Sequence, residues 1–427
     1  MLAAPVVLWE HSKYGIEPDE IEVICLTMKR ESKNSFRKPE KSPLSVGKHV
    51  IVLGAGASAS SGYPVGEGLR KLLANPERLC AKVKEQLKEK NEEIEGGLDY
   101  SLKTLDRSIR LFRNGGFATV DEFVRLAGQH RETEAEYLRR LLSLCFAIEN
   151  PEASFEQSDY YPFVQRLFEG DLMSLRADLS VLTFNYDSYL EFLLRRAYET
   201  RCEAKGMAPS DVVLDAILSG FRSRLTQKLA EPGGFCLLKL HGTCALPSCD
   251  ERDEPCPTHD ELFNPDPARR FHTVSSRRFA DVGFSPIFFP WEILNRSGSF
   301  VSKEKFRWAK QRQTGSEIEL FSLFKAIWER ARKEVRGAAR LSFVGLSMHN
   351  YLEPGFRFLL KGKGGHAELV IADKEPQKPA ERLERWLKGS CPDLQWKVRV
   401  RTSFAEFIQE EMEPLNVHSE PNGSPSP

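Results

Sequence analysis

Four short stretches of this chain place glycine or polar residues at the ends of apolar runs. Gly54-Ala55-Gly56-Ala57-Ser58-Ala59 follows the apolar run Lys48–Leu53 and opens a helix-compatible stretch. Its Gly-x-Gly-x-x-Ala spacing suits a dinucleotide loop. One glycine makes the tight turn, the next lets the backbone approach a pyrophosphate, and the small third residue lets the helix pack on the sheet. Backbone N–H groups at the helix start would hold the anion. Thr183-Phe184-Asn185-Tyr186-Asp187, Lys239-Leu240-His241-Gly242 and Gly345-Leu346-Ser347 end three further runs. Singly, each has a plain structural explanation: Asn185 tolerates turn geometry, Asp187 caps a following helix, and His241 before Gly242 marks a turn. Together with the glycine loop they fall at carboxyl ends of strands, where open α/β sheets bind ligands.

A redox dinucleotide fold would add an acidic residue about 20 residues past the loop, at the end of a second strand. That region, Leu72 to Arg78, lies inside a helical pattern. The loop therefore serves something other than hydride transfer. A second cluster follows the histidine: Cys244, Cys249, Cys256 and His259 lie within 16 residues. They can hold zinc tetrahedrally, yet the spacing C-x4-C-x6-C-x2-H is untidy and Pro247, Pro255 and Pro257 make the segment loop-like. A zinc site and surface thiols in an irregular loop both stay open.

The elements that must position these residues are legible as periodicities. Leu179–Thr183, Phe235–Leu240, Leu341–Gly345 and Glu368–Ala372 are short apolar runs like the first, and read as buried parallel strands. Gln395–Arg401 alternates, with Trp396, Val398 and Val400 on one face. Helical patterns follow several of them, at Tyr189, Leu190, Leu193 and Leu194, and at Leu383, Trp386 and Leu387. Strand alternating with helix predicts an α/β, doubly wound parallel sheet. Residues 67–175 show helical periods alone and predict a large helical insertion after the first strand, in which Thr119 or Asp121 caps a helix holding Phe123, Val124 and Ala127. Residues 1–44 read as an N-terminal extension and linker, with Met28 as an alternative start, 45–412 as the folded domain, and 413–427 as a disordered tail. Phe288-Phe289-Pro290-Trp291 reads as core, and the five basic residues between Arg330 and Arg340 as a solvated helix face.

Taken in order and spacing, Gly54 to Ser58, Thr183 to Asp187, Lys239 to Gly242 and Phe343 to Ser347 resemble the sirtuin superfamily over about residues 45–410. The resemblance implies a Rossmann-type domain that binds NAD so that its bond to nicotinamide is broken. It implies catalytic roles for Asn185 and His241 and a pyrophosphate loop at Gly54, Ala55, Gly56 and Ser58. Asp187 falls near the nicotinamide ribose, Gly345 and Ser347 at a ribose-contacting strand end, and Asp373 near the adenosine. Protein deacylases of the family continue the loop with a Pro-Asp-Phe-Arg element. Here Ser61-Gly62-Tyr63-Pro64-Val65-Gly66 stands instead. That stretch, and Thr119-Val120-Asp121-Glu122-Phe123, are similar to the bacterial sirtuin-like NAD hydrolases that act as antiphage effectors. Those effectors often carry an Asp after the Gly-x-Ser strand, where this chain has Met348-His349-Asn350-Tyr351. The implied activity is NAD hydrolysis to nicotinamide and ADP-ribose, controlled by self-assembly or by a separate partner such as an ATPase. A deacylase or ADP-ribosyltransferase, and a non-catalytic nucleotide-sensing or scaffold subunit, are the alternatives.

Composition bounds the rest. Basic and acidic residues balance at 61 each, so no global field draws the chain to nucleic acid or an anionic membrane. No apolar run approaches the roughly 20 residues that span a bilayer. Glu10, His11 and Lys13 follow the short apolar start at once, unlike a secretory signal. Nine scattered cysteines fit reduced thiols and predict a cytoplasmic location.

Overall fold

Strand β1 (His49–Leu53) is buried along its whole length, and its side chains alternate between two cores. Ile51 and Leu53 pack on one face of the sheet, Val50 and Val52 on the other. That is the period of two expected of a strand covered on both sides. A computed structural model describes residues 47–63, 67–73, 75, 77, 81, 109–117, 119–127, 158–169, 174–187, 189–210, 213, 217, 234–242, 289–301 and 316–412.

Around β1 the sheet adds β2 (Leu179–Thr183), β3 (Cys236–Lys239), β4 (Arg340–Val344), β5 (Gly365–Ala372) and β6 (Leu394–Arg401). The six strands lie in the order β3-β2-β1-β4-β5-β6, and every pairing is parallel. This is a Rossmann-type α/β sheet. The order reverses between β1 and β4, so the loops leaving these two strands part and open the crevice in which such sheets hold ligands.

Between β1 and β2 the named elements among the described residues are helices: a 3-10 helix (Ala55–Ser61), α1 (Glu67–Leu73), α2 (Val120–Ala127) and α3 (Tyr160–Leu167). Thr119 caps α2, its Oγ1 accepting from Glu122 N at 3.1 Å. Helix α4 (Tyr189–Ala204) follows β2, and α9 (Phe404–Glu411) follows β6. Both pack with α3 on the face of Ile51 and Leu53, through Leu193, Leu194, Phe163 and Phe407. The opposite face carries α6 (Ser316–Gly337), α7 (Glu353–Leu360) and α8 (Gln377–Ser390), through Trp328, Phe356 and Trp386. Each such aromatic, fully buried, contributes on the order of 2–3 kcal/mol. Short α5 (Pro290–Ile293) joins this second core through Ile293.

The five basic residues between Arg330 and Arg340 do not form one solvated helix face, since Arg340 begins β4. Arg330 is buried on α6 and pairs with Glu334 at 2.5 Å, and Arg332 lies over the Phe358 ring at 4.6 Å. Glu334 draws the first inward because Lys48 and Ser180 also converge on its carboxylate. The helix face is therefore partly an interior one. Among the described residues no helix is long and apolar enough to cross a membrane. The extension 1–44, the tail 413–427 and the Cys244-Cys249-Cys256-His259 cluster lie outside the described residues.

Candidate functional site

The loop after β1 crosses directly over the end of β4. Gly54 N donates to Val344 O at 2.9 Å and Gly56 N to Gly345 O at 2.8 Å. Gly345 has φ +60°, and a Cβ there would lie 2.2 Å from Ala57 N. A Cβ on Gly56 would lie 2.8 Å from Gly345 Cα. Backbone meets backbone with no room for a side chain, which explains all three glycines physically. Ala57 is buried in this crossing while Ala55 and Gly56 remain exposed. Ala57 is thus the small residue at the crossing itself, while Ala59 is half-buried.

The expected anion cradle is narrower than the spacing suggests. The loop continues as a 3-10 helix, and its first turn closes at once, with Ala57 N donating to Gly54 O at 3.0 Å. With Gly54 N bound to Val344 and Gly56 N to Gly345, three amides of the loop are already committed to protein carbonyls.

Ser58 leaves this loop inward. Its hydroxyl accepts from Asn185 Nδ2 at 3.0 Å and donates to Asp187 Oδ2 at 3.1 Å. Tyr160, on α3, closes the cluster with its OH 3.3 Å from both Ser58 Oγ and Asn185 Nδ2. Asp187 Oδ1 accepts from Tyr189 N at 3.1 Å and so starts α4. Asn185 N donates to Thr183 Oγ1 at 3.0 Å, which folds the chain sharply off the end of β2. The amide group of Asn185 is therefore held from one side. Its Oδ1 is buried and has no hydrogen-bond partner among the described residues.

Lys239, the last residue of β3, is buried and anchors this turn from below. Its Nζ pairs with Glu191 Oε1 at 2.9 Å and donates to the Asp187 carbonyl. Burial raises the Glu191 carboxyl while the Lys239 charge opposes the rise.

His241 stands two residues past Lys239, and Asn185 two past Thr183, the residue with which Lys239 is in register. The two side chains thus leave adjacent parallel strands at the same level. Phe184 meets the imidazole edge-on at 4.8 Å, Tyr186 stacks on it at 5.5 Å, and Phe289 approaches at 5.9 Å. This apolar enclosure holds the ring down to about 3, against a hydrogen bond to the Phe184 backbone that favours the charged form. A bond that favours the charged imidazole is one in which the ring donates and the backbone accepts. The ring's Nε2 is buried and has no partner among the described residues.

Gly345 N donates to Ala372 O at 2.8 Å, which sets Asp373 beside the glycine crossing. Asp373 Oδ1 accepts from Glu375 N at 3.0 Å. Ser347 is exposed, and its carbonyl accepts from Arg382 at 3.0 Å. The structure thus brings Ser58, Asn185 and Asp187 into one cluster and Gly54, Gly56 and Gly345 into one crossing. His241 stands on the neighbouring strand. Among the described residues no group of His, Cys, Asp or Glu is arranged to hold a metal ion.

Tyr160 and Glu191 lie outside the motifs, and Tyr186 and Lys239 lie inside them with no role the sequence assigns. Tyr160 carries no local signal, since its contact with Asn185 spans 25 residues. A lysine ending an apolar run was visible, and a buried cation of that kind demands a carboxylate partner. Comparison with models of known protein families and with curated proteins finds no match for this chain.

Proposed function

We propose that the chain hydrolyses NAD at the nicotinamide–ribose bond, giving nicotinamide and ADP-ribose. The observation that carries this reading is the pair of buried, unpartnered acceptors, Asn185 Oδ1 and His241 Nε2, at one level on adjacent strands. Buried acceptors left without donors cost about 1–3 kcal/mol each, and a sugar or a bound water brings the donors that both require. The glycine crossing at the switch point between β1 and β4 supports a dinucleotide as the carrier of that sugar.

The chemistry needs little more. Breaking the C1′–N bond leaves an oxocarbenium-like ribose, and nicotinamide departs neutral, so no general acid is required. Asn185 orients a ribose hydroxyl or the attacking water through Oδ1, with its Nδ2 fixed by Ser58 and Tyr160. Water adding to C1′ becomes strongly acidic, so even a weakly basic imidazole accepts its proton at Nε2. The balance is NAD plus water to nicotinamide, ADP-ribose and a proton. Its aromatic neighbours keep His241 neutral and ready to accept across the physiological range.

Sustained hydrolysis would exhaust the NAD of the host cell, so this reading includes control by assembly or by a separate partner protein, as in an antiphage effector. Incubating the purified chain with NAD and resolving the products by mass spectrometry tests it. Free ADP-ribose and nicotinamide in equal amounts support hydrolysis. ADP-ribose attached to protein, or its O-acyl ester, replaces hydrolysis with transfer. Tight NAD binding with no product under any condition leaves a sensing subunit.

A further inference from the structure

Asp121 belongs to the helical insert, yet its carboxyl bonds to the segments that leave β2 and β4. Its Oδ1 accepts from Tyr186 OH at 2.8 Å, and Tyr351, just beyond β4, hydrogen-bonds the same carboxyl. Helix capping does not account for this, because Thr119 already caps α2. Burial pushes the Asp121 carboxyl up to about 6, so its placement opposes the ordinary preference of a first-turn acid for solvent.

The contacts close a circuit. Tyr186 stacks on His241 at 5.5 Å with 23° between the planes. Trp291 meets Tyr351 edge-on at 5.8 Å and stacks on Phe289 at 4.6 Å. Phe289 returns to His241 at 5.9 Å. Asp121 is the one member that ties the two tyrosines by hydrogen bonds, and it arrives from an element outside the sheet. We infer that Asp121 is a positioning residue for His241, holding the Tyr186 ring against the imidazole so that the helical insert must be docked for the site to be complete. This rests on the proposed role of His241 and names the part of the fold through which it is controlled.

The test uses the full chain with isotope-labelled histidine, the His241 ring resonance being assigned by its loss in His241→Gln. Asp121→Ala and Tyr186→Phe should both shift the His241 resonance while those of His49 and His366 stay in place. Asp121→Asn, which still accepts from Tyr186, should restore the native position. An unmoved His241 resonance in both Asp121→Ala and Tyr186→Phe overturns the inference. Tyr186→Phe keeps the buried ring and removes only the hydroxyl, so the test stands even if the alanine variant fails to fold. In turnover, Asp121→Ala should lower kcat about 10–100-fold at a nearly constant KM, with rescue by asparagine. A loss carried by KM alone contradicts positioning. Wild-type protein that never turns over NAD defeats the proposed function and leaves the resonance test intact.

Discussion

Asn185 donates its amide to Ser58 Oγ at 3.0 Å, joining the end of β2 to the loop that leaves β1. The same hydroxyl donates to Asp187 Oδ2, so one small side chain fixes both polar residues of the turn. Ser58→Ala strips a donor from Asp187 and an acceptor from Asn185. It should destabilise the fold by about 1–3 kcal/mol in urea titration, and it should lower kcat more than it raises KM. An alanine variant indistinguishable from wild type in both would show that the cluster does not orient Asn185.

Lys239 and Glu191 form a pair that tolerates removal of both partners better than of one. Lys239→Met leaves the Glu191 carboxylate buried without its cation and should cost about 3–5 kcal/mol. Adding Glu191→Leu should recover most of that loss in the same denaturation experiment. If the double variant is as unstable as the single one, the Lys239 bond to the Asp187 carbonyl, rather than the ion pair, holds the turn.

Acid should destabilise the protein through its buried neutral histidines. His49 is held down to about 3, by burial first and then by Arg340, Arg176 and Arg399, with Asp178 opposing. Its folded value lies below the unfolded one, so its stabilising contribution is present in full above about 6.5 and is lost as the pH falls toward 3. Each such histidine steepens the dependence by about 1.4 kcal/mol per pH unit in that window. His49 Nε2 lies 2.7 Å from the Ser342 hydroxyl; His49→Gln, which keeps a polar group there, should therefore lose about 2 kcal/mol less than wild type between pH 6.5 and pH 5. Parallel pH profiles for the two proteins would contradict the assignment.

The strand ends were legible because buried parallel strands are short, apolar and abruptly ended. The runs at Leu179–Thr183 and Glu368–Ala372 correspond to β2 and the inner part of β5, and Asn185, His241 and Gly345 follow their strands as read. The helical contribution was not legible. Tyr160 and Asp121 reach the site through hydrogen bonds spanning 25 and 65 residues, and no periodicity encodes a contact of that range. The spacing of the glycine loop points to close approach of a pyrophosphate, whereas the approach the structure holds there is between protein backbones. The loop's partner proved to be the backbone at Gly345, which the spacing alone did not reveal.

The most direct test measures nicotinamide release from NAD by the wild-type chain, Asn185→Ala and His241→Ala, together with any activating partner, each variant first shown to melt as the wild type does. Release by the wild type and a fall of at least about 100-fold in both variants are expected. Undiminished release from folded Asn185→Ala and His241→Ala would contradict their catalytic roles.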